Sequence, residues 1–274
     1  MATTKRKTTR LRGGDILGVE EYHDGRYGAP GMPRQKKRKP TKEDMQRVNA
    51  ANKARRCQYR LLQYFEPGDY FATLTCRVSE RPEDMEEAMK YWETLIQRIR
   101  RQYQKRGSPL FWIRNIERGT RGAWHIHLVI NRIPDTARIL EEAWDHGGVY
   151  LEQIKKSKFY SEDLSDLASY MTKSEKTVEK KSDGTPGKPK LKESSYSTSR
   201  NMPLPEPHVD KLQRWKKEVK PKKGYYMASY REGINPATGY KYRKYIMIRL
   251  HGGRNEDGKD IHRDVLPHTY FETG

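Results

Sequence analysis

The chain predicts an α+β fold, a βαββαβ antiparallel sheet with helices on one face. Three observations carry that reading. Apolar and polar residues alternate over 70–78, 110–117, 123–131 and 149–154, the period of half-buried strands. Residues 82–105 and 135–144 instead repeat their apolar positions at helical spacing. Trp124-His-Ile-His-Leu-Val-Ile130 sets two histidines one apolar residue apart inside an alternating run. On a strand His125 and His127 then leave one face, and Trp124, Ile126, Leu128 and Ile130 the other.

Residues 1–40 are rich in Lys, Arg, Gly and Pro and end in Gln35-Lys-Lys-Arg-Lys-Pro40. Without helical or strand periodicity they read as a flexible basic arm that lies on phosphates. Thr41 opens a helix to about residue 64, with Glu43 and Asp44 in its first turn. Pro67-Gly68 ends it, and the β-branched and aromatic run at 70–78 is the first strand.

Pro82 starts a long helix whose acidic residues come first (Glu83, Asp84, Glu86, Glu87) and whose cations come last (Arg98, Arg100, Arg101, Lys105, Arg106), an order the helix dipole favours. Met85, Met89, Trp92, Leu95, Ile96 and Ile99 form its apolar stripe. Gly119-Thr-Arg-Gly122 is a turn between the two middle strands. A helix over 135–144 closes at His146-Gly-Gly148, residues 149–154 form the fourth strand, and Ser161 caps a helix over 162–173. The order leaves the second sheet face open, as in RNA-recognition-type folds.

Beyond it, residues 176–190 have the composition of a loop or linker. Residues 225–230 and 240–250 read as a β-hairpin with Lys241, Arg243 and Arg249 on its polar face. The expected organisation is a basic arm over 1–40, a main domain over 41–202 and a β-rich accessory segment over 203–274.

Hydrophobic and charged residues each make up 34% of 274 residues, and Lys and Arg exceed Asp and Glu by 20. A nucleic-acid partner is the first expectation from that excess. No apolar run approaches the length of a membrane span, and the basic start lacks the apolar stretch of a secretory signal. Cys57 and Cys76 offer no disulfide framework and no Cys-x-x-Cys site. A reducing cytosol suits them, with Cys76 read as a buried core thiol.

His125 and His127 on one strand face make a platform for a divalent metal. Glu117 lies eight residues before His125 across the hairpin, within reach of both imidazoles, with Asn115 as a weaker substitute. Tyr170 and Lys173 sit three apart in Leu167-Ala-Ser-Tyr-Met-Thr-Lys173 and share a helix face. A tyrosine hydroxyl is a weak nucleophile at its ordinary pKa near 10, and a neighbouring ammonium helps it attack phosphorus.

Phe71-Ala-Thr-Leu-Thr75, Trp124-His-Ile-His-Leu-Val-Ile130 and Tyr170-Met-Thr-Lys173 stand in the order and spacing of the three motifs of HUH endonucleases. The chain resembles a rolling-circle replication initiator of plasmid or single-stranded DNA phage type, over about residues 68–202. Tyr196-Ser-Thr-Ser-Arg-Asn201 is similar to the stretch after the tyrosine helix in phage-type initiators. The resemblance implies an HUH nuclease fold, with His125, His127 and Glu117 binding Mg²⁺ or Mn²⁺. It implies Tyr170 as the nucleophile on single-stranded DNA at an origin, Lys173 as its helper, a 5′-phosphotyrosyl link and a free 3′-hydroxyl. It also implies host replication proteins as partners and the bacterial cytoplasm as location. Many phage initiators carry two tyrosines on this helix; here Lys173 and Ser174 follow, and Tyr160 is distant. No Walker-type loop indicates a helicase. The rival readings are a transposase or relaxase of the same superfamily, a non-catalytic single-strand-binding module displaying Phe71 and Trp112, and a structural core with solvated histidines.

Overall fold

The computed structural model describes residues 4–25, 28–154, 161–175 and 191–250. The linker expected at 176–190 and Tyr160 lie outside them. In chain order the elements are β1 (Thr4–Leu11), β2 (Ile16–His23), α1 (Lys42–Tyr64), β3 (Tyr70–Thr75), α2 (Met85–Lys105), β4 (Trp112–Gly119), β5 (Trp124–Ile130), α3 (Thr136–Ala143), β6 (Val149–Gln153), α4 (Ser165–Met171), β7 (Leu191–Thr198), β8 (His208–Lys211), β9 (Tyr225–Ile234) and β10 (Lys241–Arg249). They fall into two compact units, Asn52–Pro203 and Met1–Ala51 with Leu204–Gly274, so the division runs through α1. Both sheets are antiparallel and the class is α+β.

The unit of Asn52–Pro203 holds the expected run β3-α2-β4-β5-α3-β6, in a sheet of order β6-β3-β5-β4-β7. Leu74, Ile116, Ile126 and Leu128 from the strands bury against Trp92, Leu95 and Ile99 of α2 and Leu140 of α3. Each such side chain, fully buried, stabilises by about 1.5–3 kcal/mol. The helix signals act as read, with one shift. Asp84 rather than Pro82 begins α2, its side chain accepting from the Glu87 backbone N–H. Thr41 and Asp44 cap α1 reciprocally, each side chain accepting from the other's backbone N–H.

The opposite face is not open. Cys57 and Leu61 of α1, with Phe65, join Leu167, Ala168 and Met171 of α4 over Phe71, Ile113 and Val129. Cys57 and Leu61 lie one helical turn apart, and that apolar stripe needs a surface to cover. Phe71 and Trp112 are therefore not displayed to a ligand. Both are buried, in different cores on opposite faces. Cys76 is half-buried at the edge of the first core, not inside it.

The second unit corrects the expectation of an arm. Residues 4–11 and 16–23 are strands, and β1 and β2 stand inside the order β8-β1-β2-β10-β9. Charge hid them. Thr4, Thr9 and Leu11 are buried on β1, whereas Lys5 pairs with Asp24 and Arg6 with Glu21, so the cations are matched within the unit. Residues 35–40 carry neither helix nor strand. They are held by backbone bonds from Gln35 to Gly239 and from Arg38 to Pro236. The hairpin forms as β9 and β10, but Arg243 is not on a solvated face: its side chain is 3% exposed. Lys241 pairs with Glu232 and Arg249 with Asp15.

Candidate metal centre

The β4–β5 hairpin fixes the site. Its turn closes through Gly122 N–H to the Gly119 carbonyl. Gly122 has φ +80, a left-handed conformation that glycine adopts without the Cβ penalty. The register sets Glu117 opposite His125 and Asn115 opposite His127. On the other side of β5, β3 sets Thr75 against His125 and Thr73 against His127. Alternation puts all six side chains on the face shared with α1 and α4.

α4 brings Tyr170 to that face, and Lys173 follows two residues after the helix ends. Gln58 of α1 anchors the approach to α4, its side-chain N–H donating to both the carboxylate and the carbonyl of Asp163. Asn115 donates to the Lys173 carbonyl at 3.2 Å. It ties down the chain after α4 and is not the substitute ligand its face position suggests.

Four groups converge on His127. Its Nε2 lies 2.7 Å from Glu117 Oε1 and 3.0 Å from the Tyr170 hydroxyl. Its Nδ1 lies 3.1 Å from Thr73 Oγ1, and the Phe71 ring stacks on it at 5.8 Å. Glu117 thus bonds its diagonal neighbour rather than His125, the residue directly across. Lys173 Nζ sits 3.8 Å from the Tyr170 ring centroid and 3.0 Å from Glu117 Oε2. That carboxylate oxygen is buried without an aligned hydrogen bond, so the ammonium meets it as a charge.

Glu117, His125 and His127 each offer one ligand atom, and these atoms lie within 4.8 Å of one another, so the group can hold a metal ion. Two imidazoles and a carboxylate suit a divalent cation and leave positions open on it. The buried, under-bonded Glu117 Oε2 fits a cationic guest.

The electrostatics agree with that use. Burial works against ionising Glu117, but the His127 hydrogen bond, the His127 charge and the Lys173 ammonium outweigh it. The carboxyl ends below its ordinary range. Burial, then repulsion from His127, lowers His125 and favours the neutral imidazole that ligates. Burial, then the Glu117 charge, raises the Tyr170 hydroxyl far above its ordinary range, so the phenol is protonated as the site stands.

All five expected residues, Glu117, His125, His127, Tyr170 and Lys173, are thus gathered in one place. Thr73 and Phe71 were not assigned roles from sequence. The signal for them was present, because Phe71, Thr73 and Thr75 alternate on one face of the strand beside the histidines.

Among the described residues no helix is long and apolar enough to cross a membrane. No curated protein and no solved structure matches the chain. Residues 69–175, which hold Glu117, His125, His127, Tyr170 and Lys173, match the family model of the replication-associated protein of ORF2 type, a likeness that supports a replication initiator role.

Proposed function

We propose that the protein nicks and rejoins single-stranded DNA at an origin and so starts rolling-circle replication, with Tyr170 as its single nucleophile. One observation carries the reading: the Tyr170 hydroxyl lies 3.0 Å from a nitrogen of His127, within a group that can hold a metal ion. A structural tyrosine has no need of that company. Glu117, His125 and His127 would hold Mg²⁺ or Mn²⁺. Such a cation, when bound, polarises the scissile phosphate.

The chain's own residues supply the rest. Thr73 and Phe71 fix the ring of His127. Lys173 places its charge beside the Tyr170 ring and offsets the charge developing on oxygen. Asn115 keeps Lys173 in place through its carbonyl. The Tyr170 oxygen attacks phosphorus and loses its proton as the bond to the 3′-oxygen breaks. The 3′-oxygen takes up a proton, leaving a 5′-phosphotyrosyl link and a 3′-hydroxyl that can prime synthesis. Rejoining is the reverse.

The test is an incubation of the protein with origin-bearing single-stranded DNA and Mn²⁺. A slower-migrating covalent adduct whose DNA maps to Tyr170 is expected. Tyr170→Phe should keep the fold and lose the adduct. An adduct formed at the original rate by that variant would place the nucleophile elsewhere. DNA binding with no adduct under any metal would return the protein to a binding role.

A further inference from the structure

The unit of Met1–Ala51 and Leu204–Gly274 carries 28 Lys and Arg against 15 Asp and Glu, so it holds 13 of the 20 excess positive charges. On one face of its sheet is a cleft of about 650 Å³. Arg6 and Arg10 of β1, Arg243 of β10, and Lys216, Lys220 and Lys222 of the segment between β8 and β9 line it. Its floor is apolar: Leu17, Val19 and Met247 belong to a buried cluster that Val219 packs against. Asp210 and Glu218 are the two carboxylates in the lining, and Asp210 is bonded by His208.

The charge here exceeds what the unit uses internally. Glu21, fully buried, accepts from Arg6 at 2.6 Å, from Arg243 at 2.5 Å and from the Tyr245 hydroxyl at 3.0 Å. Two guanidiniums thus share one carboxylate and leave a net positive charge at the cleft wall. Arg243 also stacks on Trp215 at 4.1 Å and donates to the Lys216 carbonyl, which anchors the cationic segment beside the floor. Arg10, Lys220 and Lys222 are exposed, and among the described residues none is in an ion pair.

A cationic rim over an apolar floor suits a chain of phosphates whose sugars and bases are free to turn inward. The volume lies within the range of small-molecule clefts, about 300–1,000 Å³, which a double helix does not enter. We infer that this cleft is a second nucleic-acid site, taking a short run of unpaired nucleotides with phosphates on the cations and sugar or base faces on Leu17, Val19 and Met247. The inference rests on the reading of the protein as one that handles single-stranded DNA. It adds a holding site on the unit that lacks Tyr170.

The test uses the full chain and a fluorescein-labelled twelve-residue oligothymidylate, titrated by anisotropy in EDTA at several salt concentrations. Neither metal nor cleavage enters it, so a failure to nick would leave the result readable. The triple variant Arg10→Gln, Lys220→Gln, Lys222→Gln changes exposed side chains, and its melting curve checks that it folds. Its slope of log K against log salt should become shallower by about 2, at roughly 0.7 for each lost phosphate contact. Excess unlabelled oligothymidylate should displace the probe far better than a duplex of equal length. An unchanged slope in the folded variant would overturn the site. Equal displacement by duplex would overturn its preference for unpaired nucleotides.

Discussion

Each sheet buries one glutamate, and the two are used in opposite ways. Glu21 on β2 spends both oxygens on Arg6, Arg243 and Tyr245. Glu117 on β4 gives Oε1 to His127 and leaves Oε2 without an aligned hydrogen bond, 3.0 Å from Lys173. A buried carboxylate is costly unless paired. A saturated one therefore holds its own sheet together, whereas an under-bonded one beside two imidazoles is poised for a ligand. Burial alone does not separate these cases, since both groups are nearly inaccessible; the count of donors does.

The broadest way to break the comparison is to remove the strand that carries Glu21. Deleting residues 1–24 takes away β1 and β2 and strips β8 and β10 of their partners. What remains of that sheet is the β9–β10 hairpin and the short β8, and an isolated hairpin is marginal in water. Residues 204–250 should become protease-sensitive, with a loss on the order of a whole domain's 5–15 kcal/mol. The unit of Asn52–Pro203 keeps its own core and should still melt cooperatively. A segment 204–250 that stays resistant would show that β1 and β2 are an appendage after all.

Next in size is Glu21→Ala. It leaves two buried guanidiniums facing each other without a counter-charge, and loss of one partner from a buried ion pair costs about 3–5 kcal/mol. Denaturant unfolding followed at Trp215, which stacks on Arg243, reads the affected unit. A loss under about 1 kcal/mol would mean that water reaches the arginines and that the pairing is a surface one.

Glu117→Gln should invert the pattern. The amide keeps an acceptor for His127, so stability should shift by only about 1–2 kcal/mol. Mn²⁺ affinity, measured calorimetrically, should fall about a hundredfold or more, since even residues behind the ligands are worth 10–100-fold. Unchanged affinity would make Glu117 a structural partner of His127 and remove the contrast with Glu21.

The same contrast explains what was legible in the sequence. The unit around Glu117 announces itself because its strands alternate and α2 carries a clean apolar stripe. Its site residues follow from one hairpin register and one helical turn. The cover over the histidines was missed because Cys57 and Leu61 are a short stripe in a charged helix. In the other unit the strands present Lys5, Arg6, Lys7 and Arg10, a pattern that local chemistry assigns to a phosphate-binding arm. Their matching acids lie in β2 and in the turn after it, and Arg243 lies more than two hundred residues further along. No local window contains that compensation, so a β-strand reads as an arm.

The smallest expected effect sharpens how Glu117 differs from Glu21, because it concerns the third partner of His127. Thr73 Oγ1 lies 3.1 Å from Nδ1. A cation on Nε2 requires the ring proton on Nδ1, where the Thr73 oxygen can accept it. Thr73→Val keeps the β-branched shape and the strand preference but removes that acceptor. Stability should change by about 1 kcal/mol or less. Mn²⁺ affinity should drop about tenfold, equivalent to about 1.4 kcal/mol. Thr73→Ser retains the hydroxyl and should recover most of the affinity. If Val and Ser bind Mn²⁺ alike, the hydroxyl does not set the His127 tautomer. The contrast between the two glutamates would then rest on Glu117 and Lys173 alone.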